Sequence, residues 1–276
     1  VLKSSGNGEY WVDDSSGDDP TAWTAGTELI DFIEAVESRG MPLDWVLWIQ
    51  ASGDYGAIGA GTYTAARYKN GLEFIFAYMR QRTKPDLPIL ISPCGGRTND
   101  VSDATETGAQ AVREMQWSIV ASEENTHLSC EKFDLAYFDE VHLTDASYET
   151  LGTRTGRDIA TIDGATLTGS VKGMEIASAT IDGAVITINL THDGGSDFTP
   201  TTGIEGFTVF DDGSKATINS VVRTDATTIT LTLSATPSGA TSLYFGYGIL
   251  EGVTLSNLPV DNSAQALPLR AARVSL

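Results

Sequence analysis

The chain has 276 residues, with 17 Lys and Arg against 37 Asp and Glu for a formal net charge of −20. That balance argues against nucleic acid or an anionic membrane surface as partner, because a phosphate backbone is bound through clustered Lys and Arg. The length suits one large or two medium domains, and no apolar run approaches the ~18 residues of a membrane span. The start, Val1-Leu2-Lys3-Ser4-Ser5-Gly6-Asn7-Gly8, lacks the apolar stretch of a signal peptide.

Residues 1 to 26 are rich in Gly, Asp and Ser with Tyr10, Trp11 and Trp23 interspersed, and read as surface loop held down by aromatics. The spacing Leu29, Ile30, Phe32, Ile33, Val36 predicts a helix from Thr27 that stops at Gly40. Leu43 to Gln50 is nearly continuous apolar, as expected of a strand covered on both faces in a parallel sheet. A second helix fits Tyr63 to Arg82, with Tyr68, Leu72, Ile75, Phe76 and Met79 on one side and Gly71 as a weak point. Leu87 to Pro93 predicts another strand, followed by the loop Gly95-Gly96-Arg97-Thr98-Asn99-Asp100. A third helix is expected over Ala104 to Ser122, a last strand at Leu135 to Phe138, and a fourth helix from near Asp145. Such alternation implies an α/β fold, an open parallel sheet flanked by helices, whose ligands bind outside the carboxyl ends of the strands.

From about Thr161 the pattern changes. Ile186, Ile188 and Leu190 alternate with polar neighbours, Thr228 to Leu233 alternates strictly, and Leu243, Phe245 and Tyr247 repeat the rhythm. Asp182-Gly183 and Asp211-Asp212-Gly213 read as hairpin turns, not as calcium loops, because the Asp-x-Asp-x-Asp spacing with a following Glu is missing. The expectation is an α/β domain over 1–160 followed by an all-β sandwich over 161–276. His192 is expected at the surface. Cys94 and Cys130 share no Cys-x-x-Cys spacing and read as ordinary thiols, with neither a disulfide framework nor a zinc site indicated.

The chemistry is expected at strand ends. Asp139 and His142 stand in Asp139-Glu140-Val141-His142-Leu143, where the carboxylate can accept a hydrogen bond from the imidazole three residues on and fix its tautomer. The other ring nitrogen is then free to take a proton from a nucleophile. The plainer alternative is that Asp139 caps the following turn and His142 is a loop histidine. Gln50 reads either as a hydrogen-bond donor to a reacting oxygen or as a polar strand cap. Asp54 and Arg97 are candidate pocket residues or plain loop charges.

Two segments give the chain a resemblance to a known superfamily. Asp139-Glu140-Val141-His142-Leu143-Thr144-Asp145-Ala146-Ser147-Tyr148 is similar to the last conserved block of SGNH hydrolases, and Trp48-Ile49-Gln50-Ala51-Ser52-Gly53-Asp54 to their W-x-Q-G-E-S-D block. Val112-Arg113-Glu114-Met115-Gln116 also resembles the family's helix R-x-x-Q. The likeness, over about residues 27 to 160, is to sialate O-acetylesterase-like and phage-borne carbohydrate esterases. It implies Ser-His-Asp removal of O-acetyl groups from a carbohydrate, with Asp139 and His142 catalytic, Gln50 in the oxyanion hole, and neither metal nor organic cofactor.

Ala51-Ser52-Gly53 departs from the family's Gly-Glu-Ser, and no Gly-Asp-Ser or Gly-Gln-Ser-Asn block follows an apolar strand. The expectation is therefore that the nucleophile is not in this chain but on an upstream segment, with which the chain would be completed. The implied partners are that segment, an acetylated bacterial surface polysaccharide, and copies of the chain itself, as a trimer if it is a tail protein. The implied location is a virion tail or the cell exterior. A non-catalytic carbohydrate-binding or structural module of a phage tail fibre or spike is the alternative, and the β domain, whose Leu258-Pro259-Val260-Asp261-Asn262 resembles phage C-terminal sandwiches, suits it.

Overall fold

The computed structural model describes residues 11–14, 19–40, 42–50, 52–95, 102–139, 142–248, 250 and 252–276. The chain divides into two compact units, Val1–Ser129 and Cys130–Leu276.

In the first unit, β1 (Val12–Asp13) pairs antiparallel with β2 (Thr24–Ala25), so part of the expected N-terminal loop is a short hairpin. Trp11 stands edge-on to Trp48 at 5.1 Å between centroids, and Trp23 is buried, so aromatics do hold this region down. Helix α1 (Thr27–Arg39) buries Leu29 and Ile33 and stops at Gly40, whose φ of 62° is the left-handed turn that glycine adopts without strain. It leads to β3 (Val46–Trp48), α2 (Ser52–Gly59), α3 (Ala65–Arg82), β4 (Ile89–Ile91), α4 (Asp103–Ser122) and β5 (Thr126–Leu128). The Thr64 and Ser102 hydroxyls accept from Arg67 N and Thr105 N, satisfying amide groups that α3 and α4 would otherwise leave unpaired. The five residues expected on the inner face of α3 are all buried.

The three strands form a parallel sheet in the order β3-β4-β5. Cover on both faces holds for β4, where Ile89, Leu90 and Ile91 are all buried, but not for β3. There Val46 and Trp48 are buried, while Leu47 on the opposite face is 40% exposed and Ile49, just past the strand, 45%. The expected last strand at Leu135–Phe138 is also corrected. The sheet's third strand is β5, in which Thr126 and His127 interrupt the apolar run that would have marked it.

The second unit begins at Cys130 and contains α5 (Asp145–Ile162), so the division by compactness lies upstream of the change in sequence pattern at 161. Its physical cause is anchoring of residues 130–157 to the β region. The Glu131 carboxylate accepts from Ala271 N at 3.1 Å, the Phe133 ring meets Phe245 edge-on at 6.1 Å, and Arg157 donates to the Thr168 carbonyl at 2.6 Å.

There follow β6 (Glu175–Asp182), β7 (Val185–Thr191), β8 (Phe198–Thr199), β9 (Phe207–Asp211), β10 (Ser214–Ala216), β11 (Ile218–Asp225), β12 (Thr228–Leu233), β13 (Thr241–Phe245), β14 (Val260–Asp261) and β15 (Ala272–Ser275). They make two four-stranded antiparallel sheets, β11-β12-β7-β6 and β10-β9-β13-β15, and the pair β14-β8. Each large sheet buries residues that the alternation marked: Ile186, Ile188, Leu190, Ile229, Leu231 and Leu233 in one, Leu243 and Phe245 in the other, where Val209 joins them unforeseen. The two-residue loop Asp212-Gly213 has φ of 48° and 80°, the positive pair that a tight hairpin between right-twisted strands requires. His192 corrects the surface expectation. It is half-buried, and its Nε2 lies 2.8 Å from the Ala226 carbonyl oxygen. Cys94 and Cys130 are buried and not joined in a disulfide. No described helix is long and apolar enough to cross a membrane.

Candidate active site

In the second unit, Leu135 and Leu143 are buried beside Cys130 and Leu151 of α5, with Tyr137 packed against them. Asp134 receives both guanidinium nitrogens of Arg154, Nη1 at 2.8 Å and Nη2 at 2.7 Å, and Arg154 Nη1 also reaches the Glu131 carbonyl at 3.1 Å. The apolar residues that suggest a strand are therefore spent on packing a pinned loop. A single antiparallel bridge, Tyr137 to Leu143, closes it.

Between those stems stand Phe138, Asp139 and His142. Phe138 N donates to the His142 carbonyl at 2.8 Å and Thr144 N to the Ala136 carbonyl at 3.0 Å, while the Thr144 hydroxyl caps α5 by accepting from Ser147 N. Asp139 uses both carboxylate oxygens on His142: Oδ1 accepts from the backbone N at 2.7 Å and Oδ2 lies 2.8 Å from ring Nδ1. The turn cap and the imidazole partner are the same carboxylate. Because an ionised carboxylate only accepts, Nδ1 carries the ring proton and Nε2 is left as the basic nitrogen. The His142 side chain is 66% exposed and that of Asp139 44%, so Nε2 is open to a reacting molecule.

In the first unit the pairing is between Gln50, just past β3, and Asp54, in the first turn of α2. Gln50 Nε2 donates to Asp54 Oδ2. Asp54 is buried, and burial pushes its carboxyl up to about 6 although the Gln50 hydrogen bond pulls the other way. Helix α2 lies hard against α4. A Cβ at Gly108 would come within 2.0 Å of the Tyr55 carbonyl oxygen, and one at Gly59 within 2.0 Å of that of Ala104. The glycines that make this stretch read as loop are what let it dock as a helix.

Nearby, α4 presents Arg113 and Gln116 to the turn after β4. Arg113 Nη2 donates to the Cys94 carbonyl at 2.7 Å, and Gln116 Oε1 accepts from Cys94 N at 2.9 Å while its Nε2 reaches the Tyr68 hydroxyl at 3.3 Å. Both side chains are fully buried, and together they satisfy both polar groups of one backbone residue. The sequence marked Arg113 and Gln116 as a motif but not as a clamp. The roles of Arg154, Glu131 and Tyr68 carried no local signal, since their partners lie 20 to 140 residues away.

The structure thus joins Asp139 to His142 in one unit and Gln50 to Asp54 in the other. Arg97 lies outside the described residues.

No protein-family model matches the chain, and no curated protein does. Among solved structures it is similar to a carbohydrate acetylesterase from Xanthomonas citri, with a TM-score of 0.63 at 16% identity over 84% of this chain and 50% of that one. The likeness is one of fold, and the chain spans half the length of that protein. Two structures of the S-layer protein SbsC match with TM-scores of 0.26 and 0.27 at 18% and 16% identity, covering 48% and 78% of this chain and 16% and 42% of theirs. Those scores are too low to bear on the fold.

Proposed function

We propose that the chain carries the base and the oxyanion donor of an SGNH-type serine esterase that removes O-acetyl groups from a carbohydrate. The observation that carries this reading is the Asp139–His142 pair, a carboxylate on Nδ1 with Nε2 exposed. A serine hydroxyl attacks the acetyl carbonyl while His142 Nε2 takes its proton. The imidazolium beside Asp139 then protonates the departing sugar alcohol, leaving an acetyl-serine. Water, deprotonated by His142, releases acetate and restores the serine. Gln50 Nε2 donates to the oxyanion of both tetrahedral intermediates; one such donor contributes roughly 3 kcal/mol.

We place the serine on a segment outside this chain, as the sequence resemblance implies. Among the described residues β3 pairs only with β4, and the exposed Leu47 and Ile49 on and just past it would gain cover from an added element. In the second unit, among the described residues, His142 Nε2 has no hydrogen-bond partner, as a base awaiting such a hydroxyl requires. The two large β sheets are read as an accessory sandwich. A phage tail or spike remains the setting that the sequence resemblance favours, with an acetylated surface polysaccharide as substrate.

A fluorophosphonate probe on the full-length protein tests the mechanism. One serine becomes labelled in the wild type and labels at least a hundredfold more slowly in His142→Ala. A protein that binds O-acetylated polysaccharide, takes no label and releases no acetate is instead a binding module.

A further inference from the structure

We propose that Asp54 is a positioning residue that turns the Gln50 amide, so that its second Nε2–H stands ready for the oxyanion; this rests on the esterase reading above. A primary amide has two nearly isosteric ends, one that donates and one that repels a developing negative charge. Something must tell them apart. Gln50 Oε1 is buried and accepts no hydrogen bond among the described residues, so the carbonyl end is not what holds the amide. Asp54 Oδ2 is, because an ionised carboxylate accepts and cannot donate, and so takes the nitrogen. With one Nε2 hydrogen spent there, the other leaves the nitrogen about 120° away.

Asp54 is itself held in place. It sits on α2, which Gly59 and Gly108 seat against the α4 backbone, so a shift of the carboxylate would require moving a helix. The ionisable group that feels Asp54 is Tyr68 of α3, whose phenol burial and the Asp54 charge push well above its ordinary range; behind Tyr68 lie the buried thiol of Cys94 after β4 and Arg113 of α4, which donates to Cys94 O and to Gln110. A protonated Asp54 could donate to Gln50 Oε1, and the amide would turn over and face the oxyanion with its carbonyl. Ionised Asp54 is unfavourable for folding in so buried a place, and a group kept against stability points to function.

The test uses the full-length protein and p-nitrophenyl acetate. Asp54→Asn, a near-isosteric mimic of the protonated acid, is expected to lower kcat ten- to a hundredfold with KM within twofold, and to melt higher than the wild type at pH 7. Gln50→Ala with Asp54→Asn is expected to be no slower than Gln50→Ala alone. On the acid side kcat/KM of the wild type should fall by a further ten- to a hundredfold as Asp54 takes its proton, a drop that Asp54→Asn does not show. An Asp54→Asn protein within twofold of wild-type kcat, losses that multiply in the double variant, or a lower melting temperature with loss of folded protein would each overturn the proposal. If the wild type itself hydrolyses no acetyl ester, the esterase reading falls; if it does, His142→Ala abolishes it and Asp54→Asn does not matter, only this inference falls.

Discussion

Two carboxylates in this chain each hold one polar side chain, and their surroundings differ in sign. Asp139 stands in a solvent-facing loop, spends both oxygens on one residue, and leaves the imidazole exposed. Asp54 is 3% exposed, accepts from an amide, and is pushed up to about 6 by burial. The first pair sits where charge is cheap and access matters; the second where charge is costly and geometry matters. On the proposed reading the difference is functional: a base must meet substrate and exchange protons, so it belongs at the surface, whereas an oxyanion donor works best in a fixed, dry setting.

That contrast can be broken from its strong end. Asp139→Asn offers the ring a partner that can donate as well as accept, so the Nε2-protonated tautomer becomes available. Hydrolysis by the full-length protein is expected to fall about a thousandfold or more, with the melting temperature unchanged because the loop is exposed. Nitrogen NMR of His142 should show Nδ1 protonated in the wild type; an Nε2-protonated ring would refute the assignment.

Next in size is Arg154, whose guanidinium and Asp134 partner have side chains 8% and 10% exposed. Arg154→Ala leaves the Asp134 carboxylate without its partner under the loop, and unfolding in denaturant is expected to show a loss of about 3–5 kcal/mol. An effect under about 1 kcal/mol would mean that the loop is held by its apolar residues alone.

Asp54 comes next, with the opposite sign. A carboxyl raised from 3.8 to about 6 binds its proton more tightly folded than unfolded. It therefore costs nothing below about pH 4, and its ionisation takes stability away as pH rises to 6, up to about 3 kcal/mol. Asp54→Asn should thus be more stable than the wild type at pH 7 and equal to it near pH 4. A destabilised variant at both values would mean that the hydrogen bond outweighs the burial. The smallest effect is expected at the exposed Arg82–Glu37 pair, 40% and 44% exposed, where Glu37→Gln should change stability by less than about 1 kcal/mol.

Local interactions were legible in the sequence and distant ones were not. The Asp139–His142 bond spans three residues, and the helices α1, α3, α4 and α5 carry their own apolar faces and stop signals. The alternation of β7 and β12 likewise names its buried residues directly. Strand β5 was hidden because Thr126 and His127 spoil its apolar pattern, while Leu135 imitates the start of a strand but is buried with Leu151 of α5. Helix α2 was hidden for a related reason: Gly53, Gly56 and Gly59 argue against a helix unless the partner that needs Gly59, the α4 backbone, is already in place. The Arg113–Cys94 and Arg154–Asp134 bonds span 19 and 20 residues and follow no local rule.

The most direct test of the whole account is acetate release from O-acetylated polysaccharide by the full-length protein, compared with its His142→Ala variant. The account predicts turnover in the wild type and a loss of at least a thousandfold in the variant at an unchanged melting temperature. Turnover within twofold of the wild type in His142→Ala would contradict it.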